Sequence, residues 1–234
     1  GPVFQQMGGC GAHEVVIESP EHERRLIHQD QAHVEALLEL LHERYIDLLR
    51  DRRFQSVIVF KNHGEQAGTS LRHPHWQIIA TPVVPQQLRW KQQQAVEYYN
   101  RAGESLYAVI LREELAAGVR IVASNAEFVA LLPYAGHLPF ETWILPRREQ
   151  STLGALTPAQ VGPLAELLQF VLARLYVGLE DPDFNLTIDT APRGDESDPY
   201  FRWHIRILPR LAMVAGFELG SGMSINTVLP EEAA

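Results

Sequence analysis

Residues 73–80 read HPHWQIIA, and they follow the segment FKNHG at residues 60–64. The pattern predicts the end of one strand, a glycine-bearing loop and a second strand. Because strand side chains alternate between two faces, we expect His73, His75 and Gln77 on one face of the second strand. Two imidazoles and an amide on one face suit the binding of a phosphate group. The alternative is a pair of hydrogen-bonded structural histidines, but the preceding loop of Gly, Ser and Thr residues favours a functional site.

A repeat between the two halves of the chain indicates the fold class. His75 has a counterpart in His204 (204 − 75 = 129 residues further on). The apolar positions of two predicted helices also match at a near-constant offset (167 − 37 = 130): Leu37, Leu38, Leu41 and Tyr45 in one, and Leu167, Leu168, Val171 and Leu175 in the other. We therefore predict an α+β architecture of antiparallel sheets with long helices packed on them. The repeat divides the chain into halves at 1–103 and 104–234.

The two halves differ in the residues that carry chemistry. At the three positions of the His-x-His-x-Gln pattern, the second half has Arg202, His204 and Arg206. Its loop at residues 191–198 is acidic and does not resemble a phosphate-binding loop. We therefore predict a catalytic first half and a supporting second half.

The hydrophobic pattern and the glycines elsewhere in the chain predict further strands and helices. A strand is expected at residues 12–18, and residues from about 86 to 117 are expected to be helical, with Gly118 as the C-terminal stop. Residues 119–123 and 127–132 are expected to form a hairpin.

Composition limits the classes of function. The chain has 234 residues, of which 46% are hydrophobic, enough for one large or two small domains. A net charge of −9 argues against electrostatic capture of nucleic acid or of an acidic membrane. The single cysteine, Cys10, excludes an internal disulfide and fits a reducing cytoplasm. We find no apolar run of membrane-spanning length. The chain opens close to its first predicted strand, so we expect an N-terminal portion to be absent from it.

Five segments together resemble the histidine-triad superfamily and, within it, the galactose-1-phosphate uridylyltransferase family. They are FKNHG at 60–64, GTS at 68–70, HPHWQ at 73–77, PFET at 139–142 and GFE at 216–218. EVVIESP at 14–20 and GFELGSG at 216–222 are similar to the ADP-glucose phosphorylase-like members. The resemblance covers essentially the whole chain and implies a tandem histidine-triad-like repeat.

The resemblance implies a nucleotidyl transfer in two steps. His75 attacks the α-phosphorus of a nucleoside diphosphate sugar, which releases sugar 1-phosphate and forms a nucleotidyl-histidine. A second sugar phosphate, or inorganic phosphate, then takes the nucleotide. A neutral imidazole is nucleophilic near pH 7, and its phosphoramidate is reactive enough to turn over. His73 and Gln77 complete the expected catalytic set.

The resemblance also implies substrate-binding residues in both halves. The candidates are Phe60, Asn62, Gly68, Thr69, Ser70, Phe217 and Glu218. Phosphoryl-type transfer depends mainly on positioning and on stabilising charge at the non-bridging oxygens. Asn62, Ser70 and Gln77 suit that task, together with N–H groups of the loop. Glu218 is expected near the sugar or at a subunit contact, and a solvated carboxylate is an equal alternative.

A structural zinc ion is a further expectation from the resemblance. Two histidine ligands of the family's site correspond to His22 and His73, whereas its cysteine pair is absent from this sequence. Two histidines alone do not complete a tetrahedral site, so the cysteines lie in a missing segment or the site is lost. The family's second metal site is expected to be lost, because Asp189 stands where a histidine is expected. Cys10 is expected to be an ordinary thiol.

Three hypotheses for the function follow. The first is transfer of UMP between UDP-glucose and a hexose 1-phosphate such as galactose 1-phosphate, by a homodimer. The second is a phosphorylase of ADP-glucose or of dinucleoside polyphosphates that uses the same chemistry at His75. The third is a non-catalytic nucleotide-binding protein, for which the expected missing N-terminal elements and the bulky Trp76 argue. Trp76 either packs in the core or narrows the site. Nucleic acid and membranes are not expected partners.

Overall fold

One antiparallel sheet of eight strands organises the chain in the computed structural model, which describes residues 3–4, 6–213 and 215–234. The strands are β1 (Ala12–Ile17), β2 (Ser56–His63), β3 (His75–Thr81), β4 (Ile121–Ser124), β5 (Phe128–Leu131), β6 (Thr142–Pro146), β7 (Phe184–Asp189) and β8 (His204–Pro209). Their order across the sheet is β1-β3-β2-β7-β8-β6-β5-β4. The predicted α+β class is confirmed, and the hairpin expected after Gly118 is β4–β5.

The described residues also form α-helices between and after the strands. They are α1 (Gln31–Arg50), α2 (Gln86–Ala102), α3 (Leu106–Ala117), α4 (Pro158–Gly178), α5 (Gly216–Ser221) and α6 (Pro230–Ala233). The region predicted to be helical, 86–117, is helical but divided in two, because Gly103 adopts a left-handed conformation (φ 77°) and ends α2. Ser105 then begins α3, since its side chain accepts a hydrogen bond from the backbone N–H of Ala108. Gly118 ends α3, as predicted.

The two halves join edge to edge in one sheet. β2 pairs with β7 from Val59 opposite Ile188 to His63 opposite Phe184. Outward from this junction, β3 and β1 on one side correspond to β8 and β6 on the other. The tandem repeat is therefore confirmed, but its two parts share a continuous sheet instead of forming separate ones. The hairpin β4–β5 continues the sheet beyond β6, at the edge of the second half.

The main hydrophobic core lies on one face of the sheet, beneath α1 and α4. Its strand residues are fully or almost fully buried and come from both halves: Val16, Val59, Trp76, Ile78, Leu186, Ile205 and Ile207. By length and composition alone, α4 is apolar enough to cross a membrane. Its residues from Val161 to Leu175 nevertheless pack into this core. α4 is therefore the core helix of a folded domain.

The opposite face is covered in the second half and open in the first. A second apolar cluster joins α2 and α3 to the strands of the second half: Ala95, Tyr107, Leu111, Val129, Leu131, Leu145, Ala191 and Phe201. On β1, in contrast, Val15 and Ile17 remain 47% and 53% exposed. The face of β1, β3 and β2 that turns away from the main core is therefore accessible to a ligand.

The position of α2 bears on the division of the chain into halves. The division at 103/104 assigns α2 to the first half, yet Ala95 of α2 packs in the cluster of the second half. Lys91 of α2 also forms an ion pair with Asp189 on β7. By packing, α2 thus belongs with the second half, and the boundary itself stays a prediction.

Candidate active site

The open face of the first half brings together four of the predicted site residues. His75 and Gln77 lie on β3 and share this face because strand side chains alternate. The backbone register places Gln77 between Val15 of β1 and Phe60 of β2. Asn62 lies two residues after Phe60 on the same strand and therefore on the same face.

His75 is held with one ring nitrogen bonded and the other free. Its Nδ1 lies 2.7 Å from the carbonyl oxygen of His73, so Nδ1 carries the proton and donates it. The lone pair is then on Nε2, for which the described residues provide no hydrogen-bond partner. His75 is only 4% exposed, which limits its rotation. A fixed neutral imidazole with a free Nε2 is the arrangement that a nucleophile requires.

Gln77 is oriented by a histidine on the neighbouring edge strand. Its Oε1 lies 3.0 Å from Nε2 of His13 and accepts a hydrogen bond from that ring. His13 lies opposite Ile79 on β1, diagonally across from Gln77 on the same face. The oxygen of the Gln77 amide is thus engaged, and its NH₂ group is left for another partner.

Asn62 is oriented by residues of the second half. Its Oδ1 accepts a hydrogen bond of 2.8 Å from Nδ2 of Asn185 on β7. Nδ2 of Asn185 also donates to the carbonyl oxygen of Ala67 at 2.8 Å, and its Oδ1 accepts from Arg210. The second half therefore supports both Asn62 and the loop that follows β2.

The loop after β2 has the conformation that its glycines permit. Gly64 and Gly68 have φ of 85° and 81°, a region that favours glycine. A Cβ on Gly64 would also lie 1.7 Å from the carboxylate of Asp183. That carboxylate accepts a hydrogen bond of 2.6 Å from the backbone N–H of Gln66. The loop is a fixed turn, tied at Asp183 to the second half.

The loop borders a cleft of about 490 Å³. The cleft is lined by predicted site residues, namely Asn62, Thr69, Ser70, His22 and His73. The hydroxyl of Thr69 is buried and has no partner within the described part of the chain, and Ser70 is exposed. Arginine side chains also reach the cleft, so it contains both hydroxyl and cationic groups for a phosphate.

A buried ion pair lies beneath the start of the histidine strand. Nζ of Lys61 is 2.7 Å from Oε1 of Glu18, and the two side chains are 4% and 0% exposed. Lys61 precedes Asn62 on β2, and Glu18 follows β1, where its backbone N–H donates to the carbonyl oxygen of Pro74. The pair therefore links the ends of β1 and β2 on either side of His75.

His73 does not lie in the strand with His75, since β3 begins at His75. Its ring points to the segment after β1, where Nδ1 is 2.9 Å from Nδ1 of His22 and Nε2 is 2.6 Å from the carbonyl oxygen of Ser19. Its backbone carbonyl supports His75. The prediction that three side chains share one strand face thus describes His75 and Gln77, while His73 contributes from the loop.

The pair of His22 and His73 fits part of a zinc site. The two Nδ1 atoms face each other, and His73 donates its other N–H to a carbonyl, as metal-ligating histidines usually do. No group of three His, Cys, Asp or Glu residues suited to a metal occurs within residues 3–4, 6–213 and 215–234. Cys10 precedes the opposite end of β1 and packs against the core. A structural zinc site needs four ligands, of which these two histidines would provide two.

Trp76 faces the core and leaves the site free. Its side chain is fully buried in the cluster beneath α1 and α4. Because His75 and Gln77 lie on the opposite face, the bulk of Trp76 does not narrow the site. The hypothesis of a non-catalytic protein loses this support.

Phe217 and Glu218 are not brought to His75 within the chain. Phe217 is 53% exposed on α5. Glu218 accepts a hydrogen bond of 3.1 Å from the backbone N–H of Ala215, which begins that helix. Among the described residues, no hydrogen bond or ion pair connects either one to β2 or β3. Their exposure fits both the expected subunit contact and the solvated carboxylate that is the alternative for Glu218, so the placement of these two residues stays a prediction.

His204 occupies the corresponding position of the second half and is enclosed. Its Nδ1 donates to the carbonyl oxygen of Arg202 at 2.9 Å, as in His75. Its Nε2 is 3.4 Å from Oδ2 of Asp189. Burial opposes ionisation of Asp189, but the adjacent His204 ring and the charges of Lys91 and Arg206 outweigh it and hold the pKa of Asp189 well below its usual range. Because Lys91 and Arg206 already neutralise Asp189, the side chains around His204 do not suit a metal ion.

Sequence reasoning missed the residues that orient the site, namely His13, Asn185, Arg210 and Asp183. Three of them lie more than a hundred positions from the histidine strand, and their contacts depend on the pairing of β2 with β7. His13 directly precedes the segment EVVIESP at 14–20, but its role depends on the diagonal contact between β1 and β3. Strand alternation alone does not show which strands are neighbours.

Comparison with known proteins shows which families this chain is similar to. Residues 9–84 match the family model described as the N-terminal domain of a domain of unknown function, DUF4931. The chain is 33% identical over 228 residues to ADP-glucose phosphorylase of Arabidopsis thaliana, covering 97% of this chain and 64% of that protein. It is 30% identical over 240 residues to galactose-1-phosphate uridylyltransferase of Thermotoga maritima, covering 99% of this chain and 74% of that protein.

A solved structure gives the same result. The crystal structure of an ADP-glucose phosphorylase from Arabidopsis thaliana with bound ADP-glucose superimposes with a TM-score of 0.88 at 31% identity, over 96% of this chain and 72% of that one. Fold and site together define a tandem histidine-triad-like protein. This chain belongs to the galactose-1-phosphate uridylyltransferase family. It spans about two thirds of the length of the Arabidopsis relative (64%).

Proposed function

We propose that this chain carries the catalytic site of a nucleotidyltransferase that acts on nucleoside diphosphate sugars through a covalent nucleotidyl-histidine on His75. The observation that carries the proposal is the geometry of His75, whose Nδ1–H is bound to the carbonyl oxygen of His73 at 2.7 Å. This bond fixes the lone pair on Nε2 at the open face. The equivalent His204 has a carboxylate at 3.4 Å from its Nε2.

The proposed reaction has two balanced steps. Nε2 of His75 forms a bond to the α-phosphorus, and the bond from that phosphorus to the bridging oxygen breaks, so that sugar 1-phosphate leaves with the oxygen. An oxygen of the acceptor phosphate then attacks the α-phosphorus, and the N–P bond breaks to restore His75. The carbonyl of His73 stabilises the positive charge on the ring during the intermediate. NH₂ groups of Gln77 and Asn62 stabilise the non-bridging oxygens.

For the substrates, we propose UDP-glucose as donor and a hexose 1-phosphate such as galactose 1-phosphate as acceptor. The similarity to a uridylyltransferase over 99% of the chain supports this choice. A second candidate is phosphorolysis of ADP-glucose, which the 33% identity to an ADP-glucose phosphorylase favours. Both use the same intermediate and differ in the base and in the acceptor.

The exposed α5 supports a homodimer in which Phe217 and Glu218 of one copy reach the other copy's site. Phe217 and neighbouring apolar side chains of the C-terminal segment are exposed: Leu219 is 78% and Met223 is 57% accessible. A zinc ion at His22 and His73 is part of the same proposal. It would require two ligands in addition to these histidines, and its role would be to hold the loop that carries His73.

The test is the intact mass of the protein after brief exposure to UDP-glucose and, separately, to ADP-glucose. We expect a UMP adduct from UDP-glucose, with the modified peptide containing His75, and its loss on addition of galactose 1-phosphate. An AMP adduct from ADP-glucose alone, released by inorganic phosphate, would identify the phosphorylase instead. Tight nucleotide binding without any adduct would contradict the catalytic proposal and support a nucleotide-binding protein.

A further inference from the structure

Two side-chain amides flank His75, and the oxygen of each is occupied by a donor from elsewhere in the chain. Oε1 of Gln77 accepts from Nε2 of His13 at 3.0 Å. Oδ1 of Asn62 accepts from Nδ2 of Asn185 at 2.8 Å. An amide has an acceptor end and a donor end, so an engaged oxygen leaves the NH₂ group as the end that is presented. Neither NH₂ group has a hydrogen-bond partner among the described residues.

We propose that His13 and Asn185 are positioning residues that hold the amides of Gln77 and Asn62 with their NH₂ groups towards the substrate phosphates. This inference rests on the proposed nucleotidyl transfer at His75. Neither residue takes part in the bond-making steps. His13 lies on the edge strand β1, and Asn185 lies on β7 in the second half.

The physical reason is the near-symmetry of an amide group. A rotation of 180° about the last side-chain bond exchanges oxygen for NH₂ with little change in shape. In one orientation the group donates to an anionic oxygen, and in the other its carbonyl oxygen repels that oxygen. A donor that holds the amide oxygen selects the first orientation before the substrate arrives. Such preorganisation is what makes a fixed hydrogen-bond donor effective in phosphate transfer.

Asn185 is itself fixed by its other contacts. Its Oδ1 accepts from Arg210, so its own NH₂ must face Asn62 and the carbonyl oxygen of Ala67. Arg210 thus fixes the amide orientation of Asn185, and Asn185 in turn fixes that of Asn62. His13 is simpler, because its Nε2 bonds to Gln77 and its ring makes no other hydrogen bond within the described part of the chain.

A matched pair of variants at His13 tests the inference. His13→Gln keeps a side-chain donor of similar reach, whereas His13→Glu has only acceptors at neutral pH and forces Gln77 to turn its NH₂ group away from the site. The rate of nucleotidyl adduct formation is measured by intact mass with UDP-glucose and ADP-glucose. We expect His13→Glu to lower the rate roughly 10- to 100-fold, the effect of losing a hydrogen bond to a charged group. His13→Gln should retain most of the rate.

A double-mutant cycle separates amide orientation from the added charge. In a Gln77→Ala background there is no amide to turn, so His13→Glu should cause little further loss. An equal loss in both backgrounds would show that the glutamate acts through its charge and would overturn the inference. A wild-type rate in His13→Glu itself would overturn it as well.

Nucleotide affinity distinguishes failure of this inference from failure of the proposed function. If the wild-type protein forms no adduct, the proposed transfer is refuted, and dissociation constants for UMP and AMP then serve as the measurement. Weaker binding by His13→Glu than by His13→Gln supports the fixed amide, whereas equal binding overturns it.

Asn185→Asp provides the corresponding test in the second half. The aspartate still accepts from Arg210 but has no donor for Asn62, so we expect a fall in adduct rate that disappears in an Asn62→Ala background. A fall that persists in that background would overturn the role of Asn185 in orienting Asn62, since the loop at Ala67 would then account for it.

Discussion

His75 and His204 begin corresponding strands and are anchored in the same way, yet only one of them is available to a ligand. Each donates its Nδ1–H to the carbonyl oxygen two residues earlier, at 2.7 Å and 2.9 Å. The described residues leave Nε2 of His75 without a partner, whereas Nε2 of His204 lies 3.4 Å from the carboxylate of Asp189. The hydrogen bond from Nδ1 to the carbonyl oxygen is therefore common to both halves. The chemical role of each histidine depends on the group that faces its Nε2.

The neighbouring strands account for the difference. Asp189 lies opposite His204 on β7, and extending the register of β2 and β3 by two residues places Asn62 opposite His75. The second half thus has a carboxylate where the first has an amide. Trp143, with its ring centroid 4.7 Å from that of His204, and the layer of α2 and α3 close the second site. We therefore expect the same motif to provide the proposed nucleophile in the first half and a structural centre in the second, because different groups cover the two histidines.

Exchanging each histidine for glutamine should give the largest contrast between the halves. His75→Gln removes the nucleophile, so adduct formation should fall by a factor on the order of 10⁴ or more. His204→Gln should leave adduct formation per folded molecule intact but reduce the free energy of unfolding by roughly 2–4 kcal/mol, because Asp189 loses a buried partner. Intact mass and urea denaturation of both variants check this. Loss of the adduct in His204→Gln at full folding would contradict the division of roles.

Lys61→Met should cause the next largest effect, on stability. It leaves Glu18 buried without its partner at 2.7 Å, and removal of one member of a buried pair costs roughly 3–5 kcal/mol. Lys91→Met in the second half should cost less, because Asp189 is more exposed and keeps His204 and Arg206 nearby. Urea unfolding of both variants measures the difference.

The double variant Glu18→Leu/Lys61→Met is the control for that prediction. It removes both charges and should recover most of the stability lost by Lys61→Met alone. If the single and double variants are equally unstable, the loss comes from packing and not from an unpaired carboxylate.

Asn62→Asp would make the first site resemble the second. The aspartate can still accept from Asn185, so the loop contact is kept, but a carboxylate then faces both the phosphate and His75. We expect the adduct rate to fall roughly 10- to 100-fold, in line with the loss of a donor to a charged group. Asn62→Ala, which removes the donor without adding charge, should lie between this variant and the wild type. A wild-type rate in Asn62→Asp would show that Asn62 does not face the phosphate.

The repeat in the sequence was sufficient for the fold class, and the His-x-His-x-Gln pattern was sufficient for the strand that carries the site. Alternation along a strand correctly placed His75 and Gln77 on one face, but it did not decide whether Trp76 packs in the core or narrows the site. The pairing of β2 with β7 could not be predicted, since it joins residues more than a hundred positions apart and has no local signal. The support of Asn62 by Asn185 and the covering of the second half by α2 and α3 depend on that pairing. The end of α2 at Gly103 could have been predicted from the local sequence, because glycine commonly ends a helix.

The smallest expected effect concerns His63, at the end of β2 against the second half. Its ring stacks on Phe184, with centroids 4.8 Å apart. Burial, helped by the charges of Lys61 and Arg25, lowers the pKa of His63 against the opposing effect of Asp181. The unfolded chain therefore takes up a proton at a higher pH than the folded protein does. The free energy of unfolding therefore decreases as pH falls below about 6.5, the ordinary pKa of histidine. The decrease ends once the pH is below the pKa of His63 in the folded state.

His63→Gln removes this proton-linked term and replaces the ring by an amide that does not titrate. The free energy of unfolding of the wild type should decrease more steeply between pH 7 and the folded pKa than that of the variant. The difference in slope is at most about 1.4 kcal/mol per pH unit for a single proton. Urea denaturation at several pH values measures both slopes. Parallel curves would show that His63 titrates alike in both states, and a shallower wild-type curve would mean that Asp181 outweighs burial and the two cations at the junction of the halves.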